Sequence, residues 1–109
     1  MSSKKEVWVN KDLTSSFNED VEFKDSSNIY HERGSIQLSW NNLAGTGSMV
    51  VKVRLASHNW DTLETITISG SSGTWSKYLT APIDEIRFEH DGSAITAGTA
   101  LLTFLFRDR

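Results

Sequence analysis

Apolar residues recur at every second position along most of this chain, and that alternation restricts it to half-buried strands. Ile36, Leu38 and Trp40 are separated by Gln37 and Ser39; Met49, Val51, Val53 and Leu55 are separated by Val50, Lys52 and Arg54. Ile66 and Ile68 flank Thr67, Ile86 and Phe88 flank Arg87, and Leu102, Phe104 and Phe106 flank Thr103 and Leu105. Successive side chains of a strand point to opposite faces, so a period of two buries one face and leaves the other wet. No stretch carries a convincing apolar repeat at i, i+3, i+4, i+7. Residue usage agrees, because Ser and Thr fill 25 of 109 positions while Ala fills 6 and Pro one. Ser and Thr form helices indifferently, and Thr suits a pleated surface.

Turn signals divide these runs. Asn41–Gly47 reads as the link between the Trp40 and Met49 strands, and Ser57–Asp61 breaks the next run. Ser69-Gly-Ser-Ser-Gly73 reads as a small loop, and Asp91-Gly92-Ser93 as a tight turn. With weaker strands near Glu6–Val9, Val21–Lys24 and Thr74–Leu79, the reading is about eight strands with turns every 8–12 residues. The expected fold is all-β, an antiparallel β-sandwich of jelly-roll or immunoglobulin-like connection. Residues 1–109 make one domain, with 1–30 a polar N-terminal arm or edge segment. Its apolar residues, Val7, Val9, Leu13, Phe17, Val21 and Phe23 among them, are thinly spread. That segment either folds along the domain or is held by a neighbouring subunit.

Charge and composition exclude several classes of function. The net charge is −3, and the deficit falls in the second half, where Lys77, Arg87, Arg107 and Arg109 face seven acids. No basic stripe suited to a phosphate backbone is present, so no nucleic-acid partner is expected. Apolar stretches such as Phe104–Phe106 are far too short to span a bilayer, so no membrane partner is expected either. No apolar run follows Met1, so no signal peptide is read and synthesis in the cytoplasm is expected. The absence of cysteine removes disulfides and thiolate chemistry.

Candidate chemistry is sparse. His31, His58 and His90 form no ligand pair, and Glu19-Asp20 with Asp12 or Asp25 lack the spacing of a calcium loop, so no metal and no cofactor is expected. Adjacent Asp84 and Glu85 point to opposite faces of a strand and cannot act together. Gly70-Ser71-Ser72-Gly73 is not a nucleophile elbow, and no catalytic residue is nominated. The four tryptophans stand out. Trp40 shares the apolar face of Ile36 and Leu38 and belongs to the core. Trp60 and Trp75 follow loops, where they either cap the ends of the sandwich or anchor a sugar or protein partner. Together with Val7, Trp8 and Val9 of the N-terminal segment, they make the candidate interaction surface.

Several stretches resemble small β-sandwich proteins encoded among bacteriophage structural genes. The likeness is carried by Ser35-Ile-Gln-Leu-Ser-Trp40, the Gly47–Leu55 strand, Ser57-His-Asn-Trp60 and Ser69-Gly-Ser-Ser-Gly-Thr-Trp75. Ile86-Arg-Phe88 and Gly98-Thr-Ala-Leu-Leu-Thr-Phe104 complete it, so it spans roughly residues 34–107. It departs at Ser57–Trp60, where the Asp-Gly turn of that group is shortened. The resemblance implies a non-enzymatic virion protein, a capsid decoration subunit or a tail-associated module. Its partners would be copies of itself and other virion proteins, and its location the virion. The alternative is a carbohydrate-binding β-sandwich that uses Trp60 and Trp75 on a glycan.

Overall fold

A computed structural model describes residues 2–31, 33–80 and 82–107. Met1, at the head of the expected 1–30 segment, and the last two positions of the expected 1–109 domain lie outside the described residues. The strands are β1 (Ser2–Asp12), β2 (Phe17–Glu22), β3 (Arg33–Gly45), β4 (Gly47–Arg54), β5 (Asp61–Ile68), β6 (Gly73–Leu79), β7 (Glu85–Asp91) and β8 (Ile95–Arg107). They form a first sheet ordered β1-β8-β3-β6 and a second ordered β2-β7-β4-β5, with every pairing antiparallel.

One rule generates this order. The chain folds as a long hairpin closed at β4–β5, so that β3 meets β6, β2 meets β7 and β1 meets β8. Rolling that ribbon adds the β3–β8 and β4–β7 contacts and leaves alternate pairs in opposite sheets. Of the two connections left open by the sequence, this is the jelly roll.

The alternating residues close the core as their spacing requires. Ile36, Leu38, Leu102, Phe104 and Phe106 of the first sheet face Met49, Val51, Ile66, Ile86 and Phe88 of the second, all buried. Phe23 joins them, edge-on to Phe104 at 5.0 Å and tilted against Phe106 at 4.7 Å between ring centres. Each such side chain contributes about 1.5–3 kcal/mol by leaving water.

Three local features refine the sequence reading. Asn41–Gly47 is not a loop over its whole length, because β3 continues to Gly45. A bulge at Asn42 and Leu43 keeps it paired with β8, and Leu43 N–H donates to the Ser71 carbonyl at 3.0 Å. Asp91-Gly92-Ser93 does turn the chain, with Asp91 accepting from the Ser93 backbone and hydroxyl, but it carries the chain between sheets and forms no hairpin. The N-terminal segment supplies β1 and β2, the two strands along one side of the sandwich. Register shifts at Val7 and Asn10, the latter at φ 90°, turn Lys5, Trp8 and Lys11 inward at every third residue. The broken period explains why this strand reads weakly in sequence.

Candidate functional site

The two open sides of the sandwich are closed by the same three kinds of side chain. On the β1/β2 side, Trp8 Nε1 donates to Glu19 Oε2 at 2.8 Å, while Lys11 Nζ donates to Glu19 Oε1 at 2.8 Å. On the β5/β6 side, Trp75 Nε1 donates to Glu64 Oε2 at 2.9 Å, and Lys77 Nζ lies 3.8 Å from Glu64 Oε1. In each case an indole and an ammonium from the first sheet grip a carboxylate from the second. Burial alone would raise the Glu19 carboxyl, but the Lys11 and Trp8 donors more than offset it and hold the group below its ordinary value.

Four of the nominated residues are thereby placed within the domain's own packing. Trp8 is only 5% exposed and meets Phe17 and Phe88 edge-on at 5.4 and 5.0 Å. Trp75 is half-buried against the core, as is Val7 in the bulge. Trp60 lies over the outer face of the second sheet, with the Arg54 and Arg87 guanidinium carbons each 4.4 Å from its ring centre. Val9 alone is widely exposed, at 59%. The structure does not gather these five residues into one patch. Val7, Trp8 and Val9 lie on one side, Trp75 on the other, and Trp60 behind the second sheet.

The outer faces of the two sheets differ in chemistry. That of the second sheet is charged and internally paired: Arg54 with Glu85 at 2.7 Å, Arg87 with Asp20 at 2.7 Å and Lys52 with Glu89 at 3.1 Å. The Arg87 guanidinium holds the Asp20 carboxyl below its usual value, and the Asp20 carboxylate raises the Arg87 pKa in return.

The outer face of the first sheet is uncharged over the middle of its central strands, with Arg33 and Arg107 opposed at one end. Directly opposed residues share a face. The register therefore lines up Val9, Leu101, Ser39 and Thr74 in one row, and Thr103, Gln37 and Ser76 in the next. Leu105, Ser35 and Tyr78 follow in a third row, with Lys4 and Glu6 confined to the β1 margin. Leu101 is 40% exposed and Tyr78 51%. A depression of about 400 Å³ lies here, lined by Gln37, Ser39, Thr74, Ser76, Leu101 and Thr103 and by the neighbouring Leu38 and Trp75. Among the described residues, no hydrogen bond joins the side chains of Gln37, Ser39, Thr74, Ser76 or Thr103 to another part of the chain. This face was missed in the sequence, although its signal was present: the residues between the apolar positions are Ser, Gln, Thr and Leu in β3, β6 and β8, but Lys, Arg and Glu in β4 and β7.

The other polar residues weighed in the sequence have separate structural places. Asp12 accepts from the Thr14 backbone and hydroxyl, Asp25 from His31 Nε2 at 2.8 Å, and Glu19 and Asp20 point to opposite faces of β2. His90 is buried, with Nε2 2.9 Å from the Leu13 carbonyl, and His58 is exposed in the β4–β5 turn. Among the described residues, no group of three or more His, Asp or Glu is placed to hold a metal.

No protein-family model and no curated protein matches the sequence. Among solved structures, the chain is similar to one described in connection with Bacillus endospore appendages, a novel family of disulfide-linked pili. The TM-score is 0.53 at 12% identity, over 95% of this chain and 85% of that one. A chain described under CBM4 structure and function matches at TM-score 0.44 and 19% identity, over 83% of this chain and 56% of that one. The Yersinia pseudotuberculosis-derived mitogen matches at TM-score 0.44 and 9% identity, over 93% of this chain and 90% of that one. At these identities the first likeness speaks for the β-sandwich fold alone.

Proposed function

We propose that this chain is a non-enzymatic structural subunit that docks onto protein surfaces, copies of itself included, through the outer face of its first sheet. The observation that carries the reading is the contrast between the two faces. One has its charges matched within the domain, while the middle of the other presents Leu101, Val9 and Tyr78 beside Gln37, Ser39, Thr74, Ser76 and Thr103, whose side chains make no hydrogen bond within the described chain. Burying an uncharged face against another protein avoids the desolvation cost of unpaired charge, which is the chemistry of an interface core. A subunit of a virion shell or tail, made in a host cytoplasm, is the specific form of this role that the phage resemblance favours.

A second reading is a carbohydrate-binding module, favoured by the hydroxyl and amide groups around the depression. Its weakness is the placement of Trp60 and Trp75, both engaged by the domain's own charged side chains.

Sedimentation of the wild-type chain and of Leu101→Glu over a range of concentrations tests the docking reading. Concentration-dependent growth into larger assemblies, which the substitution removes, is the expected result. A chain that stays monomeric, yet binds a glycan in a screen and loses it on Gln37→Ala, would replace the docking reading with the carbohydrate one.

A further inference from the structure

We infer that two copies of this chain join edge to edge through β6, antiparallel about a two-fold axis at Ser76, making one continuous eight-stranded first sheet. The inference rests on the docking reading and says which edge carries the first contact.

A sandwich has four edge strands, and exposed edges invite pairing unless something blocks them. Here β1 is broken by two register shifts and carries Lys4, Lys5 and Lys11. β2 carries Glu19, Asp20 and Glu22 within six residues, so a second copy would oppose acid with acid. β5 has a register shift at Leu63 and two acids, Asp61 and Glu64. β6 differs from all three. It pairs with β3 through seven residues in unbroken register, contains no proline, and has Lys77 as its one charged residue. Among the described strands it has no second neighbour.

The strand is also complementary to itself. In an antiparallel pair, opposed residues point to the same face, so inward Trp75 and Lys77 must meet inward residues, and outward Thr74, Ser76 and Tyr78 must meet outward ones. Only symmetric registers centred on a residue satisfy this. Centring on Lys77 sets ammonium against ammonium, and centring on Trp75 shortens the paired length. Centring on Ser76 pairs all seven residues: Gly73 with Leu79, Thr74 with Tyr78, and Trp75 with Lys77 of the second copy. That last pair sets a cation beside an indole, on the face where Glu64 already accepts from Trp75. Such an isologous contact closes on itself and gives a dimer, in which the uncharged middles of two outer faces become one broad docking surface.

The test uses the full chain with Ser76→Lys, Ser76→Glu, their equimolar mixture, and Leu101→Glu. Ser76 is exposed and makes no side-chain hydrogen bond, so each variant is expected to fold. Leu101 lies on β8, separated from β6 by β3. The expected pattern by sedimentation is loss of the dimer in each Ser76 variant alone, because like charges then face each other, and its recovery in the mixture, where lysine opposes glutamate. Leu101→Glu is expected to keep the dimer and lose only larger assemblies. Association abolished by Leu101→Glu and untouched by both Ser76 variants would overturn the edge contact while leaving the docking reading in place. A wild-type chain that is monomeric at every concentration would overturn both.

Discussion

The twin closures offer a controlled experiment, because the same chemistry occurs at two different burials. Truncating Glu19 to alanine leaves the Trp8 indole N–H, in a residue 5% exposed, without an acceptor. A buried donor left unpaired costs about 1–3 kcal/mol. The Lys11 pair adds less, about 0.5 kcal/mol, since both side chains are roughly one-third exposed and water screens them. The total is about 1.5–3.5 kcal/mol. At the other side, Trp75 is only half-buried and water can replace the lost acceptor, while Lys77 sits at 3.8 Å with both partners more than 40% exposed. Glu64→Ala should therefore cost less than about 1 kcal/mol. Urea unfolding followed by tryptophan fluorescence measures both on one scale, with unchanged m values as the check on two-state behaviour. Equal costs at the two positions, or a larger one at Glu64, would refute the idea that burial of the indole sets the strength of the closure.

Two glycines separate sterics from backbone strain. A Cβ at Gly73 would fall on the Trp40 indole, 2.6 Å from Cε2, and that ring is buried and tied by Nε1 to the Ser69 carbonyl at 3.0 Å. Gly73→Ala should cost about 2–3 kcal/mol by overpacking, against about 1 kcal/mol for Gly70→Ala, where φ is +76° but the nearest atom, the Ser72 carbonyl oxygen, is at an ordinary contact distance of 3.5 Å; thermal unfolding reads the order. Trp60→Ala should cost only about 1 kcal/mol, because its two guanidinium neighbours keep their Glu85 and Asp20 partners; a loss above about 3 kcal/mol by chemical denaturation would contradict that. Glu19, Asp20, Asp25 and Asp91 all have lowered pKa values, so the unfolded chain binds protons first. Their stabilisation is complete above the ordinary values of 4.5 for Glu and 3.8 for Asp and drains as pH falls through the lowered ones. Unfolding midpoints that stay flat between about pH 6 and about pH 2 would count against these assignments.

The alternation of Ile36, Leu38 and Trp40, and of Leu102, Phe104 and Phe106, was enough to give strands, sandwich and core, because a regular pleat converts period directly into facing. Where bulges intervene, that conversion fails. β1 turns one residue in three inward, so Trp8 reads as an isolated aromatic on a polar arm, although it is a core residue. Asn42 and Leu43 read as part of a turn because the bulge that absorbs them depends on β8, more than fifty residues away in the chain. Strand order was illegible for the same reason: every pairing except β4–β5 joins segments distant in sequence, and no local signal encodes which edge meets which. The candidate face was hidden differently. Its residues are common surface types, and only their register shows that three adjacent strands set them side by side, with the charged pair Arg33 and Arg107 at one end.

The use made of tryptophan bears on what that face can bind. Trp8 and Trp75 join the two sheets at opposite sides, Trp40 fills the core and Trp60 lies over two arginines. Among the described residues, none remains as a free platform on the first sheet, where Tyr78 is the one exposed ring. A sugar held there would rest on hydroxyls and one amide that water already satisfies, and exchanging such bonds yields little net free energy. A protein surface gains in addition from covering Leu101, Val9 and Tyr78, whose transfer from water is favourable wherever the fit excludes it. The balance of these contributions favours a partner with a broad, uncharged surface of its own, and a second copy of the same face meets that description.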